Sequence, residues 1–110
     1  FGVAGNAKRV AIGSFVRPGN YPYPTGDFDF ILGWEPCMAV MEFYGYESSH
    51  EACIAWMSTD NGITYTFRKL QMGQWGYDID IKKFLPNGIK YELRSSTYPY
   101  STIYYAAVEA

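Results

Sequence analysis

Short runs in which apolar and polar residues alternate, each closed by a glycine, proline or asparagine turn, constrain this chain more than any other feature. Tyr77-Asp78-Ile79-Asp80-Ile81-Lys82 alternates at every position, Pro86-Asn87-Gly88 turns the chain, and Ile89-Lys90-Tyr91-Glu92-Leu93-Arg94 alternates again. A period of two sends successive side chains to opposite faces, so Tyr77, Ile79 and Ile81 point inward and the two runs are the arms of a hairpin. Asp27-Phe28-Asp29-Phe30-Ile31-Leu32 places Phe28, Phe30 and Leu32 on one face in the same way. No segment carries a convincing 3.6-residue period, and the expectation is an all-β chain.

The remaining strands follow from β-rich runs between turn signals. Val10 to Val16 forms a first strand that ends at Arg17-Pro18-Gly19-Asn20. Cys37 to Tyr46 is nearly apolar on both faces apart from Glu42, as expected of a central strand covered on each side. Glu47-Ser48-Ser49-His50-Glu51 turns the chain at the surface, and Ala52 to Ser58 is a further buried strand. Asp60-Asn61-Gly62 supplies the strongest hairpin signal, because Asn-Gly accepts the positive φ values of a type I′ turn; its partner strand is Ile63 to Leu70. Ser101 to Val108 closes the sheet. Seven or eight short strands with turns at short intervals predict one antiparallel β-sandwich, jelly-roll-like, spanning residues 1–110. The chain begins at Phe1, not methionine, and is expected to be a fragment of a longer polypeptide.

Composition limits what such a fold does. Eleven Tyr, 7 Phe and 3 Trp suit pleated sheets, and 48% hydrophobic against 18% charged residues requires a buried core. A net charge of -2, with basic residues scattered apart from three adjacent pairs, offers nucleic acid no positive face. No run approaches the roughly 20 apolar residues that span a bilayer, so no membrane insertion is expected. Cys37 and Cys53 lie in apolar runs where buried free thiols sit, with a disulfide between neighbouring strands as the alternative.

Catalytic groups are hard to assemble from these residues. His50 is the only histidine; flanked by Glu47 and Glu51 in a polar turn, it reads as a solvated surface residue without a role. Asp27 with Asp29, and Asp78 with Asp80, are the carboxylate pairs on offer for glycoside cleavage, but their apolar interleaving puts them on a solvent face. Asp-x-Asp lacks the glycine and downstream glutamate of a calcium loop, and there is no zinc pair or phosphate loop. No enzyme activity, metal or cofactor is expected.

Aromatic residues in irregular segments remain as candidate ligand-binding residues. Tyr21 and Tyr23 alternate with Pro22 and Pro24, Trp75 lies between Gly73 and Gly76, and Tyr98 and Tyr100 flank Pro99. A ring without a regular ladder to pack under is expected at the surface, where flat faces stack on the apolar side of a sugar. Trp75 is the favoured single contact. Trp34 and Trp56, in or beside strands, are expected to be shielded.

Three pieces resemble the β-sandwich tip domains at the C-termini of bacteriophage tail fibres and related receptor-binding proteins. They are Gly13-Ser14-Phe15-Val16 before a Gly-Asn turn; Phe30-Ile31-Leu32-Gly33-Trp34-Glu35-Pro36-Cys37-Met38-Ala39-Val40; and Asn87-Gly88-Ile89-Lys90-Tyr91 leading to Tyr104-Tyr105-Ala106-Ala107-Val108. Trp34 stands where such domains usually carry Phe, and Cys37 where they often carry a basic residue. The resemblance covers the two ends of the chain. It implies that residues 1–110 are the C-terminal part of a longer polypeptide, a homotrimer on a fibre shaft, exposed on a virion or outside a cell, that adheres to a surface glycan or protein. Two alternatives stay open: a trimerisation or capsid-decoration domain whose tyrosines form a subunit interface, and a small carbohydrate-active domain using its aspartates.

Overall fold

The computed structural model describes residues 8–43, 51–73 and 78–110. Among the described residues eight strands run in order: β1 Val10–Val16, β2 Gly26–Ile31, β3 Pro36–Phe43, β4 Glu51–Thr59, β5 Tyr65–Gly73, β6 Ile79–Leu85, β7 Gly88–Leu93 and β8 Thr102–Glu109. They form a five-stranded sheet, β1-β8-β3-β4-β5, packed on a three-stranded sheet, β2-β7-β6. Every pairing is antiparallel. The all-β sandwich expected from the alternation is the fold observed.

Strand bounds follow local chemistry closely. β1 occupies the predicted residues, and the turn after β4 has both positive φ values that a type I′ turn requires, 56° at Asn61 and 81° at Gly62. β5 starts two residues later than expected because Thr64 belongs to the turn: its N–H and hydroxyl donate to Asp60 Oδ1 at 2.6 and 2.7 Å. The strand then continues past Leu70 to Gly73. β8 lies between β1 and β3 and is therefore central to its sheet.

The core forms where small side chains on one sheet admit large ones from the other. Ala39 pairs with both Ala55 and Ala107 across three strands, and Cys53 lies two residues along. Against this shallow surface pack Ile79, Ile81, Ile89, Tyr91 and Leu93 of the three-stranded sheet, all buried. At the β1 side, where Gly13 of β1 leaves room for the Tyr105 ring of β8, aromatic rings span the sheets: Phe15 stacks on Phe30 with centroids 4.4 Å apart, and Phe30 meets Tyr105 at 4.5 Å. Cys37 and Cys53 are both free; Cys53 stands opposite Met41, so the strand register does not bring the two thiols together.

Two acidic residues expected at the surface are buried. Glu51 opens β4 opposite Phe43 and is inaccessible to solvent. Asp80 lies on the outward face of β6 by register, yet is only 1% exposed. Its burial has a tertiary cause, since β5 extends over edge strand β6 and brings Lys69 Nζ to 2.6 Å from Oδ1, while Arg94 Nη2 approaches Oδ2 at 2.5 Å. Two cations offset the desolvation of one carboxylate.

Among the described residues, no strand or loop forms a second layer on the outer face of the five-stranded sheet. Ile12, Ala106, Val40, Ile54 and Leu70 stand side by side across all five strands; Val10, Val108, Met38, Trp56 and Arg68 form the row on one side of them, and Ser14, Tyr104, Glu42, Ala52 and Met72 the row on the other. Among the described residues β3 is thus packed against a second sheet on one face only, contrary to the two-sided cover expected from its apolar sequence; of its predicted residues, 44–46 lie outside those described. Trp34 is buried as expected, whereas Trp56, on this bare face, is half-buried.

Candidate binding surface at one end of the sandwich

Loops that connect the strands gather the candidate aromatics at one end. The segment after β1 and the segment before β8 are joined by two backbone bonds: Arg17 N–H donates to the Ser101 carbonyl and Tyr23 N–H to that of Ser96, each at 2.8 Å. Ser95 Oγ accepts from the N–H groups of Thr97 and Tyr98, bending the second loop inward.

Arg17 organises this end. Its side chain is buried, with the guanidinium carbon 4.4 Å from the centre of the Tyr23 ring and 5.6 Å from that of Phe43. Nη2 donates to the Pro24 carbonyl at 3.2 Å, while Nε and Nη1 have no hydrogen-bond partner among the described residues. Burial lowers its pKa, and the faces of the flanking rings supply the attraction that retains the cation. From Arg17 the contacts continue in both directions. Tyr21 meets Tyr23 edge to face at 5.6 Å; Phe43 contacts Tyr98 at 4.7 Å, and Tyr98 contacts Tyr100 at 5.8 Å.

Four of the five predicted aromatics are therefore brought together, although they are not equally presented. Tyr21 is 63% exposed. Tyr23 and Tyr100 are half-buried. Tyr98 departs from the expected exposure: it is buried against Phe43, because the Ser95 turn directs the ring into the open end of the core. Trp75 lies outside the described residues, as do Glu47, His50 and Tyr77.

The aspartate pairs separate into different environments. Asp27 and Asp29 are exposed on β2, with Asp29 3.2 Å from Lys90. Asp78 is half-buried, and burial pushes its carboxyl up against the opposing pull of Arg17 and Arg94. Asp80 has both oxygens engaged by cations. Among the described residues, no group of three His, Cys, Asp or Glu side chains is placed to hold a metal ion.

The opposite end carries a feature that sequence reading missed. A cleft of about 540 Å³ opens between Pro36 and Cys37 of β3, Tyr65 and Phe67 of β5, and Lys83 and Phe84 of β6. Phe67 and Phe84 meet edge to face at 5.2 Å. Its walls come from strands far apart in sequence, so no local pattern announces it. Arg17 was equally hidden, since an arginine before Pro-Gly reads as an exposed turn residue.

The fold and these surfaces define an antiparallel β-sandwich whose loops form a stiff aromatic end. Comparison of the chain with family models, with curated proteins and with solved structures finds no match.

Proposed function

We propose that this domain is a non-catalytic adhesion module that binds a cell-surface glycan or protein through its aromatic end. The observation that supports this reading best is the stack Tyr21–Tyr23–Arg17–Phe43, which immobilises the loop from beneath and leaves the Tyr21 ring outermost. A preorganised aromatic loses little conformational entropy on binding and offers its face to the C–H side of a sugar or to an apolar side chain. The likeness of its strand motifs to tail-fibre tips extends the reading to a virion or extracellular location and to a homotrimer on a fibre. Several copies on one particle would turn modest single-site affinity into firm attachment.

Glycan-array and cell-adsorption measurements on a multivalent form test the reading. Tyr21→Ala is expected to lower adsorption at least tenfold with an unchanged unfolding midpoint. Absence of binding by the multivalent wild type to any glycan or bacterial surface would reject it in favour of the assembly reading, which the bare apolar face of the five-stranded sheet supports.

A further inference from the structure

We infer that the cleft between β3, β5 and β6 is a binding site for a small aromatic acid, a flat fused-ring body bearing one carboxylate whose charge is met by Lys83. This goes beyond the adhesion reading and lies at the other end of the molecule.

Strand register explains why the cleft exists. Cys53, Ala55 and Met57 alternate along β4, so Met57 faces the same way as the two small residues that underlie the core. Phe67 pairs with Met57, and Tyr65 lies two residues before Phe67 on the same face. From the opposing sheet comes Phe84, which pairs with the buried Ile89 and meets Phe67 edge to face at 5.2 Å. Core burial stops here: Cys53 and Ala55 are inaccessible to solvent, Met57, Phe67 and Phe84 are half-buried, and Tyr65 is 72% exposed. The inward face of β4 and β5 thus runs on past the cover of the smaller sheet, leaving a core-like apolar surface open to water. The cleft volume, about 540 Å³, falls within the range of roughly 300–1,000 Å³ of small-molecule sites.

The walls select the ligand in two ways. Phe67, Phe84, Tyr65 and Met57 all line the hollow, and an entering ring makes offset or edge contacts with the aromatic groups and a sulfur contact with the thioether, which a saturated chain does not. Charge selects the acid. Lys90 pairs with Asp29 at 3.2 Å, Lys82 with Glu92 at 3.6 Å and Lys69 with Asp80 at 2.6 Å. Lys83, which also lines the cleft, forms no hydrogen bond or ion pair among the described residues and stands directly opposite Lys90 in the β6–β7 register. Like charges facing one another across a strand pair repel. A carboxylate held at Lys83 relieves that repulsion while its ring fills the apolar hollow. Glu35, exposed on the β3 side of the cleft, forms no ion pair with Lys83 and disfavours a second anionic group, so the ligand carries a single charge.

Calorimetric titration of the full 110-residue chain with naphthoate, its uncharged analogue naphthamide and the alkyl acid dodecanoate tests the proposal. Naphthoate is expected to saturate a single site and to shift the Met57 methyl resonance, with naphthamide bound about fivefold more weakly, the loss expected of one exposed ion pair. Dodecanoate is expected to bind more weakly than naphthoate. Lys83→Gln is expected to bring naphthoate down to the affinity of naphthamide while leaving naphthamide unchanged, and high salt to do the same by screening. Tyr65→Ala is expected to weaken acid and amide alike. Lys83 and Tyr65 are both exposed, so each variant is expected to keep the wild-type unfolding midpoint. No saturable binding of naphthoate at millimolar concentration, equal affinity for acid and amide, dodecanoate bound as tightly as naphthoate, or a naphthoate affinity untouched by Lys83→Gln would each overturn the proposal. Resonance shifts confined to Tyr21, Tyr23 and Tyr100 would put naphthoate at the aromatic end and overturn it as well. The Tyr21→Ala adsorption experiment reads that end alone, so failure of one reading is distinguishable from failure of the other.

Discussion

Tyr91 illustrates how a single side chain ties stability to solution conditions. It is 2% exposed, packed between Phe15 and Phe28, and burial pushes its hydroxyl pKa from 10.0 up to about 12, against a smaller opposing pull from Arg17. The folded chain therefore holds this proton more tightly than the unfolded chain. Its contribution is intact below pH 10 and is lost as pH rises from 10 towards 12, at a limiting slope of about 1.4 kcal/mol per pH unit for one proton. Urea unfolding at stepped alkaline pH is expected to show that decline in the wild type and a shallower one in Tyr91→Phe. Arg17 and Asp80 are buried by different means: one lies between aromatic rings, the other between cations.

Within the β6–β7 hairpin, the glycine of the Asn-Gly pair has a role different from that of Gly62. Leu85 pairs with Gly88, leaving Pro86 and Asn87 as the turn, and Asn87 has no positive φ. Gly88 is required because β2 passes directly against it: a Cβ there would lie 2.0 Å from the Phe30 carbonyl oxygen, which belongs to rigid backbone. The Asn87 carbonyl accepts from the N–H groups of Leu32 and Gly33, fastening the end of β2 to the same turn. Gly88→Ala is expected to cost more than about 3 kcal/mol, beyond ordinary overpacking, or to abolish folding. Gly62→Ala, with nothing within 4 Å of its Cβ but a φ of 81°, provides a milder control costing about 1 kcal/mol. Chemical denaturation of both variants separates steric contact from backbone strain.

The two sheets of the molecule are coupled through their aromatic seam. Phe15 and Tyr105 of the larger sheet meet Phe30 of the smaller one within 4.4 and 4.5 Å of Phe30's ring, so neither sheet has a complete core alone. Phe30→Ala is expected to destabilise the chain by about 3 kcal/mol, somewhat under the cost at a fully buried site. Because both layers share this core, far-UV dichroism and tryptophan fluorescence should still report one coincident transition. Separate transitions would mean that each sheet persists independently. The wedge-like mismatch of five strands over three also explains where surfaces arise: β5 extends over β6 with Lys69 and Gln71, and the cleft opens where that overhang ends.

Local chemistry was legible without coordinates. β1, the inward Phe28 and Phe30, the inward Ile79 and Ile81 and the left-handed Asn61-Gly62 turn follow from residues within a few positions of one another, because pleat and turn geometry act at that range. The four described aromatics of the candidate surface were found for the same reason, as rings between prolines or glycines that interrupt a strand. Their burial was not legible: Tyr98 is covered, Tyr21 is not, and the difference lies in whether the Ser95 turn aims a ring at Phe43. Pairing of Val10 with Val108, the placement of β8 between β1 and β3, and the extension of β5 over Asp80 join segments remote in sequence. Those long-range pairings decide what lies opposite each side chain, and hence which charges are buried and which apolar face is left bare.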